Sequence, residues 1–381
     1  MGLAELTRNA VHVLPEGALE EKLKLDRPLR VKLGIDPTGP DIHIGFAVVL
    51  RRLAAFQREG HIAVLIVGDY TARIGDPSGR SKERQVLPDE VLDRNAELFA
   101  EQAYRILDRE RTEVRFNGEW LGGLDYAELV RLTRTGTVAQ LLERDDFGNR
   151  FRSREPISVS ELLYPFAQGY DSVAVQADIE VGGTDQLYNL LMGREVMANY
   201  ELEPQSVITY ELLVGTDGVE KMSKSQGNYV GIDELPEEQF GKVMSIPDSA
   251  LDQWWRLCLD AEPPEGDPME SKLALARGIV DLYHGADASR VAEEHFTRVV
   301  REGRAPEDVA EVSLPAQDPV HLPAALAEWF SMSTSEARRL IAQSAVKVDG
   351  AVVAELDLPR GRLAGALVQA GKRRFVRVAA T

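Results

Sequence analysis

The stretch Leu29-Arg30-Val31-Lys32-Leu33-Gly34-Ile35-Asp36-Pro37-Thr38-Gly39, followed by His43-Ile44-Gly45-Phe46 and later by Ile62-Ala63-Val64-Leu65-Ile66-Val67, decides the fold. Residues 29–35 read as a strand, 36–42 as a loop broken by proline and glycine, and 45–58 as a helix with Leu50, Leu53 and Ala54 on one face. Gly60 ends that helix. Residues 62–67 are a continuous apolar run rich in β-branched side chains, the kind buried on both faces of a parallel sheet. Together these make a βαβ unit. Ligands of such units bind beyond the carboxyl ends of the strands, so a site is expected where loops 36–42 and 68–79 meet.

Working outward, residue 87 onwards changes character, with amphipathic helical patterns such as 91–107, and reads as an insertion running to about residue 160. A sheet returns over 173–181, followed by the turn Gly182-Gly183-Thr184 and a helical pattern over 185–197. Residues 207–213 are another strand candidate, leading into a loop over 215–227. From 236 to about 304 the pattern is helical, with Leu273, Ala276, Ile279, Val280 and Tyr283 at helical spacing. Residues 315–323 hold three prolines and read as a linker. The remainder predicts a helix over 335–343, a turn at Asp349-Gly350 and strands through 375–378. The expected fold class is α/β: a doubly wound, Rossmann-like parallel sheet over 1–235 carrying the 87–160 insertion, an α-helical domain over 236–314, and a small α+β domain over 324–381.

Composition narrows the function. At 381 residues the chain exceeds a single small core, and 44% apolar with 28% charged residues is ordinary for a soluble globular protein. No segment is long and apolar enough to span a bilayer, and residues 1–15 lack a secretory signal, so a cytoplasmic protein without membrane contact is expected. The single cysteine, Cys258, excludes an internal disulfide and any multi-cysteine zinc site; beside Trp254, Trp255 and Leu257 it reads as a buried thiol. A net charge of -18 argues against nucleic acid over the whole surface, yet residues 321–381 carry nine Lys and Arg against five acids. The tail is locally basic.

The chemistry centres on Lys221-Met222-Ser223-Lys224-Ser225, set between Gly215, Gly218 and Gly227. Two ammonium groups on a segment able to close over a ligand suit a polyphosphate; alone, such a match reads more simply as a solvated loop. Its companions change that. Asp36-Pro37-Thr38 and His43-Ile44-Gly45 open a helix whose unpaired amides can meet phosphate, with Gly45 leaving room for an adenine. A rigid turn carries Asp76 and then a basic arm of Arg80, Lys82 and Arg84. Tyr164, Gln168 and Asp171 share one helical face. Flanked by Leu162, Leu163 and Phe166, that polar stripe reads as a lined pocket. Gly182-Gly183-Thr184-Asp185-Gln186 adds a second strand-to-helix turn with a carboxylate of the kind that holds a ribose.

In this order the motifs resemble the bacterial tyrosine-tRNA ligases, class I aminoacyl-tRNA synthetases, along nearly the whole chain. His43-Ile44-Gly45 is similar to the first three positions of the family's HIGH motif, Lys221 to Ser225 matches its KMSKS motif, and Lys32-Leu33-Gly34 marks a Lys-Leu-Gly branch. Arg338-Arg339-Leu340-Ile341 through Asp349-Gly350 resembles an S4-type RNA-binding module. The resemblance implies an ATP-dependent, AMP-forming ligase that converts L-tyrosine to tyrosyl-adenylate and pyrophosphate, then transfers tyrosyl to the terminal adenosine of tRNA(Tyr). It implies that Asp76, Tyr164 and Gln168 hold the tyrosine amino group, Asp171 the phenol and Gln186 the carboxylate side, with Gly34 in the same pocket. Asp36, Gly45, Gly183, Asp185 and Met222 would line the ATP site; Thr38, His43, Arg80, Arg84, Lys221, Lys224 and Ser225 would surround the triphosphate. Arg338, Arg339 and Lys347 would meet RNA. The same resemblance implies Mg2+ travelling with ATP, no metal held by the chain, no prosthetic group, and a homodimer.

Two departures stand out. Phe46 occupies the last HIGH position and cannot donate a hydrogen bond, and Lys32 stands where many relatives place a phenol-reading tyrosine. Two other readings stay open on residues alone: a tryptophan-tRNA ligase, against which the spacing of Asp171 argues, and a non-catalytic RNA-binding paralogue, against which the intact Lys221 to Ser225 argues.

Overall fold

The computed structural model describes residues 2–39, 41–78, 87–302, 309–371 and 374–380. It divides into two units, Met1–Tyr283 and His284–Thr381. Among the described residues of the first unit, six strands form one sheet: Ala10–Leu14 (β1), Arg30–Ile35 (β2), Ile62–Val67 (β3), Thr112–Phe116 (β4), Ile179–Gly183 (β5) and Ser206–Tyr210 (β6). Their order is β1-β6-β5-β2-β3-β4, parallel throughout except where β1 runs against β6. β3 is buried from Ala63 to Val67 because helices cover both faces, as its uniformly apolar sequence anticipates.

Helix Ile44–Arg58 (α1) connects β2 to β3, its Leu50 and Leu53 fully buried, and the chain turns at Gly60 in the left-handed region. The doubly wound parallel sheet read from this stretch is therefore the fold. Strand order reverses between β2 and β5, and there the ladder pairs only Val31 with Ile179 and Lys32 with Glu180 before the two strands diverge. The opening beyond that pair is the crevice in which such folds bind ligands. Helix Asp89–Ala103 (α2) starts after Pro88 with Asp89 and Glu90 in its first turn, where the helix dipole favours acids. Helix Tyr164–Val175 (α3) has Pro165 in its first turn, where a missing N–H costs nothing, and packs on helix Leu187–Asn199 (α4).

Three readings are corrected. Residues 173–175 are the last turn of α3, not strand; the sheet returns only at Ile179. A short apolar run such as Val173-Ala174-Val175 fits strand or helix; in the structure Val175 is buried, Val173 half-buried and Ala174 exposed around one helical turn. Residues 112–116, inside the stretch read as helical, are β4 at the sheet edge. All five of its residues are half-buried, and Glu113-Val114-Arg115-Phe116 alternates charged and apolar over four positions only, too short to stand out from the helical patterns around it. The candidate strand over 207–213 ends at Tyr210.

Helices Pro236–Val243, Leu251–Leu259 and Pro268–His284 follow. Cys258 is buried beside Trp254, as its neighbours imply, and burial pushes its thiol up to about 12. In the second unit a five-stranded sheet runs in the order Ala351–Val352, Val346–Val348, Leu367–Ala370, Arg374–Val378, Glu311–Val312 among the described residues. Helices Leu322–Trp329 and Thr334–Ala342 contribute Leu326 and Ile341 to its core. The stretch 315–323, read as a linker, includes strand Val320–His321, which pairs with Asp357–Leu358. No helix among the described residues is long and apolar enough to cross a membrane.

Candidate active site

A cavity of about 410 Å³ opens at the carboxyl ends of β2 and β5. At its deep end stands Asp171 of α3, 2% exposed. Its Oδ1 accepts from Trp120 Nε1 at 2.9 Å and its Oδ2 from Asn117 Nδ2 at 3.3 Å. Burial pushes this carboxyl up to about 7, opposed by the Lys32 charge and by the two hydrogen bonds. Asn117 directly follows β4, so the corrected strand delivers it to the site.

Acceptors gather in the middle of the cavity. The Tyr164 hydroxyl donates to Asp36 Oδ2 at 3.0 Å, and Thr71 Oγ1 donates to Asp36 Oδ1 at 2.7 Å. Gln186 Nε2 donates to Asp76 Oδ2 at 2.9 Å. Asn189 Nδ2 donates both to Gln186 Oε1 and to Ser78 Oγ at 3.1 Å, and itself accepts from Arg144 at 2.7 Å. Gln168, 8% exposed, lines the cavity with its Oε1 unpartnered. Two carboxylates and a free amide oxygen together suit a cationic group such as an ammonium.

The mouth is made by loop 215–227. Lys221 Nζ pairs with Asp185 Oδ2 at 2.8 Å. Lys224 lies over Gly39, where a Cβ would stand 2.6 Å from Lys224 Cδ, so a side chain at this position would push the end of the lysine aside. Burial lowers the Lys224 ammonium to about 8, with Asp41 opposing. The Gly45 N–H donates to Met222 Sδ at 3.3 Å, which places the KMSKS methionine on the first turn of α1. His43 precedes that turn, its ring stacked 4.2 Å from Phe46 and its Nδ1 buried without a partner. Burial first, then Lys224 and Lys221, lower the imidazole to about 3, so His43 is neutral at working pH.

The candidate residues Gly34, Thr38, Gly183 and Ser225 line the same cavity as those just described. Arg80 and Arg84 lie outside the described residues. Arg338 and Arg339 are exposed on helix Thr334–Ala342 and Lys347 is half-buried on strand Val346–Val348, in the second unit. Lys32 does not face the cavity; it is fully buried against Glu180 at 2.9 Å. Sequence reasoning missed Asn117, Trp120, Thr71, Ser78 and Asn189. The available signal was Asn117-Gly118 at the carboxyl end of a parallel strand, which the helical reading of that stretch concealed. Among the described residues no group of three His, Cys, Asp or Glu is placed to hold a metal ion.

Known proteins resemble this chain over most of its length. The profile of tRNA synthetases class I (W and Y) matches residues 24–301. A tyrosine-tRNA ligase of Geobacter sulfurreducens is 47% identical over 394 aligned residues, covering 99% of this chain and 98% of that protein. One of Thermotoga maritima is 44% identical, covering 98% and 96%. Among solved structures, the tyrosyl-tRNA synthetase of Archaeoglobus fulgidus complexed with L-tyrosine superposes with a TM-score of 0.62 at 20% identity, covering 76% of this chain and 98% of that one. A C-terminally truncated mitochondrial tyrosyl-tRNA synthetase of Aspergillus nidulans gives 0.60 at 20% identity, covering 75% and 90%. At that identity the structural likeness speaks for the fold alone.

Proposed function

The chain belongs to the class I tRNA synthetases of the tryptophan and tyrosine kind, among the tyrosine-tRNA ligases, and from that premise we propose which side chains perform each step. The activity is ATP-dependent ligation of tyrosine to tRNA(Tyr). The observation that carries the assignment of roles is the order of groups along one cavity: a buried carboxylate at the far end, acceptors in the middle, lysines at the mouth.

Asp171 accepts the hydrogen bond of the tyrosine phenol. Gln168 Oε1, Asp76 and Tyr164 receive the α-amino group, and Gln186 lies on the carboxylate side. The tyrosine carboxylate attacks the α-phosphorus of ATP in line; the new oxygen–phosphorus bond forms as the bond to pyrophosphate breaks and negative charge moves to the leaving group. No side-chain nucleophile is needed, so catalysis is positioning plus stabilisation of that charge. Lys224 and Lys221 supply the stabilisation. Lys221 exchanges Asp185 for phosphate, which frees Asp185 for the ribose. Neutral His43 contributes a hydrogen bond rather than a proton, and Thr38 and Ser225, on the lining of the same cavity, add hydroxyl donors. Arg80 and Arg84 join the phosphates on the strength of the sequence motif. Mg2+ would travel with the ATP and neutralise part of the charge on its phosphates.

In the second step the terminal adenosine hydroxyl of the tRNA attacks the tyrosyl carbonyl and releases AMP. Arg338, Arg339 and Lys347 on the S4-like unit hold RNA phosphates. A cytoplasmic homodimer completes the proposal; Tyr126 (81% exposed), Phe151 and Val159, in the segment after β4, are apolar side chains that a partner subunit would cover. Pyrophosphate exchange driven by tyrosine, and not by tryptophan or by ATP alone, is the expected result; exchange driven equally by tryptophan would overturn the phenol assignment.

A further inference from the structure

Lys32 and Glu180 are each 0% exposed, yet form an ion pair of 2.9 Å at the register position where β2 and β5 last touch before opening into the cavity. Every donor of the ammonium is used: besides Glu180, it reaches the Gln168 carbonyl at 3.0 Å and Ser172 Oγ at 2.8 Å. Glu180 Oε2 accepts from Gln205 Nε2 at 2.7 Å and from Ser172 Oγ at 3.2 Å, while Oε1 faces Gln168 Nε2 at 3.5 Å. Helix α4 passes close enough that a Cβ on Gly193 would stand 2.6 Å from Gln205 Nε2, so the fold makes room for this network. Taking two charges out of water costs more than an apolar pair of equal volume, so stability alone does not account for their presence.

What the pair touches is the turn of α3 that carries Gln168 and Asp171. We propose that the Lys32–Glu180 pair is a positioning device for tyrosine recognition: Glu180 orients the Gln168 amide, and Lys32 anchors the turn bearing Asp171 while supplying it with a fixed positive charge. A carboxylate can only accept, so Gln168 turns its Nε2 toward Glu180 and leaves Oε1, which has no partner, for a substrate ammonium. Lys32 favours the ionised, phenol-accepting form of Asp171, and Glu180 disfavours it. The other groups on Asp171 are the neutral donors Asn117 and Trp120; behind Asn117 stands the neutral Thr71. The nearby Arg115 is paired with Glu119. In this chain the lysine thus serves the phenol from behind the pocket wall.

The inference rests on the tyrosine pocket proposed above, and the test separates the two. Pyrophosphate exchange is measured from pH 5.5 to 9 for Lys32→Met, Glu180→Gln and the double variant, beside Gln168→Ala and Asp171→Asn, with melting temperatures for all. Each of the first three is expected to raise the KM for tyrosine roughly tenfold while the KM for ATP stays within about twofold. The acid limb of kcat/KM for tyrosine should move up in Lys32→Met and down in Glu180→Gln, each by about half a pH unit or more, opposite shifts that simple loosening of the fold does not produce. Should a single variant fail to fold, the double variant carries the KM test. Folded variants with unchanged tyrosine KM and acid limb would overturn the positioning role. Unchanged tyrosine KM in both Gln168→Ala and Asp171→Asn would instead overturn the pocket itself.

Discussion

At its deep end the cavity is walled by the buried Asp171 and Asn117, hydrogen-bonded to each other, with Trp120 donating to Asp171 and the Lys32–Glu180 pair buried behind the wall, whereas at its mouth Lys221, Ser225 and Gly227 stand exposed on a glycine-bounded loop. The two ends face different demands. Discriminating tyrosine from phenylalanine means penalising a missing hydroxyl, and the penalty is large only where an unsatisfied acceptor has no water to fall back on. Handling ATP means admitting a triphosphate and releasing pyrophosphate, which requires cations that can change partners. Lys221 already holds such an exchangeable partner in Asp185. One wall is fixed by burial and the other is held by contacts that a ligand can replace.

The sharpest way to break this comparison is at the deep end. Asp171→Asn should collapse the preference for tyrosine over phenylalanine by roughly a hundredfold or more, measured as the ratio of kcat/KM in pyrophosphate exchange. Pockets built to bind a hydroxyl reject its absence by roughly 10⁴ to 10⁵, a magnitude itself drawn from tyrosine-tRNA ligases. A retained preference would move phenol recognition elsewhere. At the mouth, Lys224→Ala should slow adenylate formation in single-turnover mixing by about a hundredfold, the loss of about 3 kcal/mol typical of one transition-state donor, with tyrosine affinity unchanged. A matching loss of tyrosine affinity would erase the distinction between the ends.

Two smaller effects sharpen it. Because burial lowers Lys224 to about 8, its charge is present below that pH and lost above it. The kcat/KM for ATP should therefore fall several-fold between about pH 7 and 9, and Lys224→Arg, whose guanidinium stays charged, should remove that limb. Asp171 works in the opposite sense. Its carboxyl rises from 3.8 unfolded to about 7 folded, so between those values the folded state holds a proton that the unfolded state has lost. Burying this group costs stability progressively as pH rises through that window. Relative to Asp171→Asn, the unmodified chain should gain on the order of 1 kcal/mol in urea unfolding as pH falls from about 8 to 5.

Legibility in the sequence follows the same division. The βαβ start was readable because 62–67 is apolar at every position, which few alternatives satisfy. β4 and β1 were not, since both are five-residue edge strands with no fully buried residue and lack the continuous apolar run of a central strand. With β4 went Asn117 and Trp120, although Asp171, which they hold, stood out on its helical stripe. Loop motifs were readable because Lys221 to Ser225 is contiguous in the chain; the deep network joins residues 32, 168, 172, 180 and 205, which only the β2–β5 register brings together. Lys32 was seen as a departure, but its face of the strand was decided by a partner on another strand.

The division of labour is tested most directly by titrating tyrosine and ATP separately in single-turnover adenylate formation with Asp171→Asn and Lys224→Ala. The account predicts that Asp171→Asn weakens tyrosine and leaves ATP affinity within about twofold, while Lys224→Ala lowers the rate at saturating ATP and leaves tyrosine affinity intact. Equal damage to both substrates by either variant would contradict it.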